Sequence, residues 1–202
     1  MAGRTAVRAA RAERTEATRS RIVAAAAPLF AALGYLDTTM AGLARAAGVA
    51  VQTLYLSFGS KAAVLEAVWA AAGEDQPTGW LERLRAAADG PAALAEHVTT
   101  TAAALELRHP LARVLLAAAA DPEPAALLAT ARAAAYAQHT AAVDELAERP
   151  GFTMEITVQR ATEVVVALLS QEAYGLLVGD HGWSTQDWAT WTTKHLAADL
   201  FP

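Results

Sequence analysis

The chain has 202 residues and no cysteine, which excludes disulfides, thiol redox sensing and thiolate-ligated metals. Its 16 Lys and Arg against 21 Asp and Glu make it acidic overall, a balance that taken alone argues against nucleic acid. Residues 1–61 reverse that sign, with eight basic side chains (Arg4, Arg8, Arg11, Arg14, Arg19, Arg21, Arg45, Lys61) against three acidic ones (Glu13, Glu16, Asp37), the pattern of a nucleic-acid-binding head on an acidic body.

Residues 1–17 read as a flexible arm rich in Arg and Ala, with Arg8, Arg11 and Arg14 either reaching an adjacent groove or simply solvated. No apolar stretch follows these charges, so a signal peptide is not expected. From Arg21 onward Ile22, Ala25, Ala26, Leu29, Phe30 and Leu33 fall on one helical face. Pro28 is expected to bend that helix by removing a backbone donor, and Gly34 to end it. Thr38-Thr39 is an N-cap signal for a second helix whose buried face is Met40, Leu43, Ala44 and Ala47. Gly48 permits a sharp turn into a third helix over Val51–Ser57, held by Val49 and Leu54, and Ser60 caps a fourth beginning at Lys61. Two short helices joined through such a turn make a helix–turn–helix.

The stretch Arg21–Leu65, RIVAAAAPLFAALGYLDTTMAGLARAAGVAVQTLYLSFGSKAAVL, resembles the DNA-binding domain of the TetR family of bacterial transcriptional regulators along its whole length. The resemblance implies that Thr39, Tyr55 and Lys61 hold phosphates, while Val51, Gln52 and Leu56 face base edges. Gln52 is the best reader, because its amide can bond adenine bidentately; Thr53 suits a phosphate or a base, and Val51 and Leu56 a thymine methyl. Three positions depart from the family pattern. Ala50 forfeits the usual Ser or Thr cap of the recognition helix, Ser57 stands where a His or Tyr often touches phosphate, and Gly42 weakens the second helix.

Beyond Lys61 the sequence reads as helix almost throughout: 61–72, a loop at 73–79, then 80–88, 91–107, 110–119, 122–148, 155–178 and 184–200. Strand alternation is absent, so an all-α fold is expected, divided into an arm (1–17), a head (18–65) and a helical effector-binding and dimerisation domain (66–202). No run reaches the eighteen consecutive apolar residues of a membrane helix, and a cytoplasmic protein is expected.

Residues from about Val158, above all SQEAYGLLVGDHGWSTQDWATWTTKHLAADL at Ser170–Leu200, resemble regulatory domains of TetR-like proteins. The resemblance implies a homodimer through the last two long helices, with Val164, Val165, Leu168, Leu169, Leu176, Leu177, Trp188, Trp191, Leu196 and Leu200 as apolar surface. Gly175 and Gly179 would either let two helices approach closely or, for Gly179, cap a helix. The resemblance also implies an unknown small-molecule effector in an apolar cavity. Polar residues on apolar faces are the candidates for it: Trp80, His97, Thr101, Tyr136, His139, Gln159, Glu163, Gln171 and Tyr174. Each has an ordinary alternative as a packed or solvated side chain.

No catalytic motif and no metal-ligand spacing is present among the five histidines, so neither catalysis, a metal nor a cofactor is expected. The partners expected are operator DNA, a second copy and an effector, with no membrane. The rival reading is a helical ligand-binding or scaffold protein whose head has lost DNA affinity through Ala50 and Ser57.

Overall fold

A computed structural model describes residues 2–74 and 79–202, all helices and connections, with no strand among them. Residues 75–78, the centre of the loop expected after the fourth helix, lie outside the described residues. The chain forms two compact units, one of residues 1–74 with 110–127, the other of 75–109 with 128–202.

The first unit begins with α1 (Ala2–Asp37), α2 (Met40–Ala46), α3 (Val51–Phe58) and α4 (Lys61–Glu74). The arm expected to lack regular structure is helical from Ala2, as its Ala, Arg and Glu content favours locally. Helical dihedrals continue through Pro28, and α1 breaks at Gly34, whose φ of 74° and ψ of 179° suit glycine alone. The core joins Ile22, Ala26 and Phe30 of α1 to Leu43 and Ala44 of α2, Leu54 of α3 and Val64, Leu65 and Val68 of α4. Leu111, Val114, Leu115 and Ala118 complete it, a contribution that nothing in the local pattern announces.

The second unit holds α5 (Trp80–Ala86), most of α6 (Gly90–Ala117), most of α7 (Pro122–Ala147), α8 (Val158–Leu168), α9 (Gln171–Tyr174), a π-helical turn (Gly175–Asp180) and α10 (Thr185–Leu200). Two expected boundaries are corrected. Helix α6 runs unbroken through Pro110, where a turn was expected at His109-Pro110. The single helix expected over 155–178 is instead divided at Leu169–Ser170, where the Ser170 hydroxyl accepts the Ala173 N–H at 3.1 Å and starts α9. Its first residues, 155–157, precede the helix, which is capped by Thr157.

The core of this unit encloses Leu94, Val98, Val143, Leu146, Val165, Leu169, Tyr174, Trp188, Leu196 and Leu200. Trp188 and Leu196, expected on a dimer surface, are wholly buried in the chain's own core, as are Val165 and Leu200, with Leu169 2% exposed. A second copy can therefore reach only the partly buried Val164, Leu168, Leu177 and Trp191 and the exposed Leu176 of that set. Gly175 and Gly179 also receive a local explanation. A Cβ at Gly179 would lie 2.9 Å from His109 Nε2 and one at Gly175 3.3 Å from His109 Cε1, so the pair makes room for the imidazole of α6.

Two stretches, Ala10–Asp37 and Val158–Asp180, are long and apolar enough by length and composition to cross a membrane, against the expectation that none is. The first owes its average to alanine and carries Ile22, Ala26 and Phe30 in the head core. The second is interrupted at Leu169–Ser170.

Candidate nucleic-acid interface and buried polar site

The local chemistry of the head orients α3. The Thr39 hydroxyl accepts the Gly42 N–H at 3.1 Å and caps α2, an interaction that stabilises by about 1 kcal/mol. Gly42 belongs to this cap, since a Cβ there would lie 3.2 Å from Thr39 Oγ1. Gly48 turns the chain with φ 64°, and Val49 N–H reaches back to the Ala44 carbonyl at 3.0 Å. Ala50 caps α3 with backbone geometry only, so the first N–H groups of that helix receive no side-chain acceptor.

With Leu54 fully buried, α3 turns the opposite face outward: Val51 is 40% exposed, Tyr55 51% and Leu56 82%, and Gln52 is exposed beside them. Thr53 and Ser57 are half-buried, and the Ser57 hydroxyl donates to the Thr53 carbonyl at 2.8 Å. One hydroxyl carries one proton, so Ser57 can donate to a phosphate only by releasing that carbonyl.

Two cations fix the frame around this face. Lys61 Nζ donates to the Tyr35 carbonyl at 2.6 Å and the Leu36 carbonyl at 3.4 Å, and lies 4.1 Å from the Tyr35 ring centroid. It thereby satisfies carbonyls just beyond the Gly34 break. Arg19 donates to the Ser57 carbonyl near the end of α3 and stacks 4.2 Å from the centre of the Phe58 ring. Sequence reasoning missed Arg19, Tyr35 and Phe58 as a set, because their partners lie 26 or 38 residues away.

In the second unit the structure brings some effector candidates together and separates others. His97 and His139, 1% and 3% exposed, meet with Nε2 and Nδ1 2.9 Å apart, and the Trp80 ring lies 5.8 Å from His97. Burial pushes His97 down to about 3, with His139 adding to the effect. Burial likewise pushes His139 down to about 4, opposed by its hydrogen bond to the Leu169 backbone. Both rings are therefore neutral near pH 7. Thr101, one turn along α6 from His97, is buried.

Tyr174 is buried against Trp188 and His109, and its hydroxyl lies 2.7 Å from Thr185 Oγ1, which donates to Glu106 at 3.0 Å. Gln171 is half-buried. Tyr136, Gln159 and Glu163 lie on the surface instead, where Glu163 accepts from Gln159 and pairs with Arg160 at 3.1 Å. Another cation missed from sequence is Arg149, whose guanidinium donates to the Leu84, Arg85 and Ala87 carbonyls at the end of α5.

One chemical feature marks this unit. His97 Nδ1, Thr101 Oγ1, Gln171 Oε1, Trp188 Nε1 and Thr192 Oγ1 are buried without a hydrogen-bond partner from the protein. Each such group costs about 1–3 kcal/mol if left unpaired. The pair His97–His139 is not a metal site, since no group of three possible ligands occurs among the described residues.

Residues 22–68 match the family model described as bacterial regulatory proteins, tetR family. No curated protein matches the chain. Among solved structures, NalD, the secondary repressor of the MexAB-OprM multidrug efflux pump in Pseudomonas aeruginosa, shares 19% identity at a TM-score of 0.71, covering 93% of this chain and 98% of NalD. The fatty acid degradation regulator FadR from Bacillus halodurans shares 20% identity at 0.69, covering 89% and 94%. PfmR, a TetR family transcriptional regulator from Thermus thermophilus, shares 24% identity at 0.64, covering 87% and 96%. These likenesses extend the shared fold over nearly the whole chain, and the sequence match falls on the helix–turn–helix. The protein thus takes its place in the TetR family of bacterial regulatory proteins, by sequence in its head and by fold in the rest.

Proposed function

We propose that the protein is a cytoplasmic, ligand-responsive transcriptional repressor that binds a palindromic operator as a homodimer and is released by a small-molecule effector. The observation that carries this reading is the outward face of α3, where Gln52, Tyr55, Val51 and Leu56 stand exposed above a fully buried Leu54. Gln52 supplies adenine recognition and the two aliphatic side chains thymine-methyl contacts, while Thr39, Thr53, Tyr55, Ser57 and Lys61 serve phosphates. One eight-residue helix makes few contacts, so two copies reading half-sites about 34–36 Å apart, or a multiple, supply affinity. The effector stabilises a conformer whose two recognition helices no longer match that spacing. A coupling of about 1–3 kcal/mol gives a 5–150-fold loss of operator affinity. The neighbours described as a repressor and as a regulator support the same reading.

The second reading, a ligand-binding protein with a weakened head, draws on the uncapped α3 and on Lys61, whose ammonium is engaged by carbonyls. Selection of bound fragments from random DNA at near-physiological salt separates the two. An enriched palindrome, whose preference relaxes at one base position in Gln52→Ala and whose affinity falls uniformly in Tyr55→Phe, supports the repressor. Weak binding with no enriched sequence supports the second reading.

A further inference from the structure

The unpaired groups of the second unit have a definite polarity, and it follows from one carbonyl. His139 hydrogen-bonds the Leu169 backbone in the sense that favours a protonated ring, so the carbonyl accepts and the ring donates. A neutral imidazole has one N–H. With Nδ1 of His139 facing His97, the donor to Leu169 is Nε2, and Nδ1 is a lone pair. His97 must then donate through its own Nε2, which leaves His97 Nδ1 as a buried acceptor that no protein group meets. Trp188 Nε1 is the opposite case, a fully buried donor in the same core cluster, and Thr101 and Thr192 hydroxyls can act either way.

Charge is missing from this set. No Asp, Glu, Lys or Arg is buried among the described residues, and Glu163, the acid nearest to hand in sequence terms, pairs with Arg160 on the surface. Trp80 supplies an apolar ring beside His97, and the surrounding core is aliphatic and aromatic, with Ala93, Ala102 and Ala142 keeping it small-sided.

We propose that this core binds an uncharged, mainly apolar small molecule that donates a hydrogen bond, through a hydroxyl or N–H, to His97 Nδ1. Resting on the repressor reading above, the proposal names the effector's chemical class. An anion meets no cation here and a cation no counter-charge, so both are rejected by desolvation. A donor-free analogue leaves the imidazole nitrogen unpaired and binds about ten- to a hundredfold more weakly.

The test uses three probes of similar shape on the full chain without DNA: 4-ethylphenol, its methyl ether 4-ethylanisole, and 4-ethylbenzoate. Saturable binding is followed by calorimetry and by the 15N signals of the histidine rings. The expected result is binding of the phenol, at least about tenfold weaker binding of the ether, and none of the benzoate. The His97 Nδ1 resonance should move on phenol binding from that of an unprotonated nitrogen toward that of a hydrogen-bonded acceptor. His97→Phe should abolish the preference for phenol over ether; if that variant does not fold, the 15N signals of the unaltered protein decide. Equal binding of phenol and ether, or a His97 Nδ1 that carries the proton in the free protein, overturns the proposal. No saturable binding of the phenol, with unchanged ring signals, also overturns it and assigns the orphan groups to structural water. Operator release is measured separately. Phenol binding with the expected preference but no release leaves the site intact and sinks the repressor reading. Release by a charged or donor-free compound, with the phenol inert, does the reverse.

Discussion

The two units bury polar groups in opposite ways. In the head the buried Thr38 hydroxyl donates to the Gly34 carbonyl at 2.6 Å, and the cations Lys61 and Arg19 are spent on carbonyls near helix ends. In the second unit five buried side-chain atoms have no protein partner, and two histidines are held neutral beside each other. A DNA reader gains from one rigid geometry, which fully paired polar groups provide. A ligand receptor gains from groups whose satisfaction waits for something else. The contrast is one of design rather than of stability alone, and four experiments press on it.

Acid gives the largest difference. Every histidine of the chain lies in the second unit. His97 and His139 have folded-state values of about 3 and 4, below the unfolded value of about 6.5. The unfolded form therefore binds more protons below pH 6.5. Stability is unaffected above that value and falls as the pH drops toward 3–4, by about 1.4 kcal/mol per pH unit for each ring. Trp80, Trp183, Trp188 and Trp191 lie in this unit and Trp69 in the head. Acid titration should therefore shift most of the tryptophan emission near pH 4–5 while helix–turn–helix circular dichroism persists. Simultaneous loss of both would remove the distinction.

Truncating the head's anchor comes next. Leu54 is the fully buried residue of α3, and Leu54→Ala should cost about 2–5 kcal/mol and abolish operator binding. Effector-probe binding in the second unit should survive, as read by calorimetry.

Where sequence and structure agree, the signals are local. Gly34, Thr39, Gly48 and Ser60 punctuate the head, and α2, α3 and α4 begin where these residues put them. Their conformations are decided by neighbours within four residues, which a linear reading sees. The disagreements are tertiary. Pro110 predicts a break, yet α6 continues, with Leu111, Val114 and Leu115 buried beyond the proline and offsetting its lost hydrogen bond. Trp188 and Leu196 share an apolar pattern with surface candidates, and only packing shows them enclosed. Of the effector candidates, Trp80, His97 and His139 come together although the histidines are 42 residues apart, while Tyr136, Gln159 and Glu163 stay outside. A helical pattern states which residues are apolar, not which helix covers them.

Gly179→Ala tests whether the glycine pair serves His109 or a second copy. A methyl 2.9 Å from His109 Nε2 forces the ring aside, at about 1–3 kcal/mol, and Gly175→Ala, with 3.3 Å to His109 Cε1, costs less. Combining Gly179→Ala with His109→Ala should recover part of the loss, a coupling that a purely intersubunit role would not produce. Sedimentation should show the oligomeric state unchanged in the single variants.

The smallest effects bear most directly on the contrast, because they replace one threonine by valine in each unit. Thr38→Val removes a hydroxyl whose hydrogen bond to Gly34 holds the chain just before α2, and should destabilise the head by about 0.5–1.5 kcal/mol. Thr192→Val deletes a hydroxyl that has no protein partner in a fully buried site, at nearly constant volume. That change should be neutral or stabilise by up to about 1 kcal/mol, and it should leave DNA binding alone. Urea denaturation followed by tryptophan emission for the second unit and by circular dichroism for the head reads both signs. If Thr192→Val costs as much as Thr38→Val, the Thr192 hydroxyl is satisfied after all, by bound water held as firmly as a protein partner, and its place in a ligand-ready set is lost. Opposite signs mean that the second unit carries a standing cost which a donor and acceptor of the right shape would relieve, and that cost is what couples occupancy of the core to its conformation.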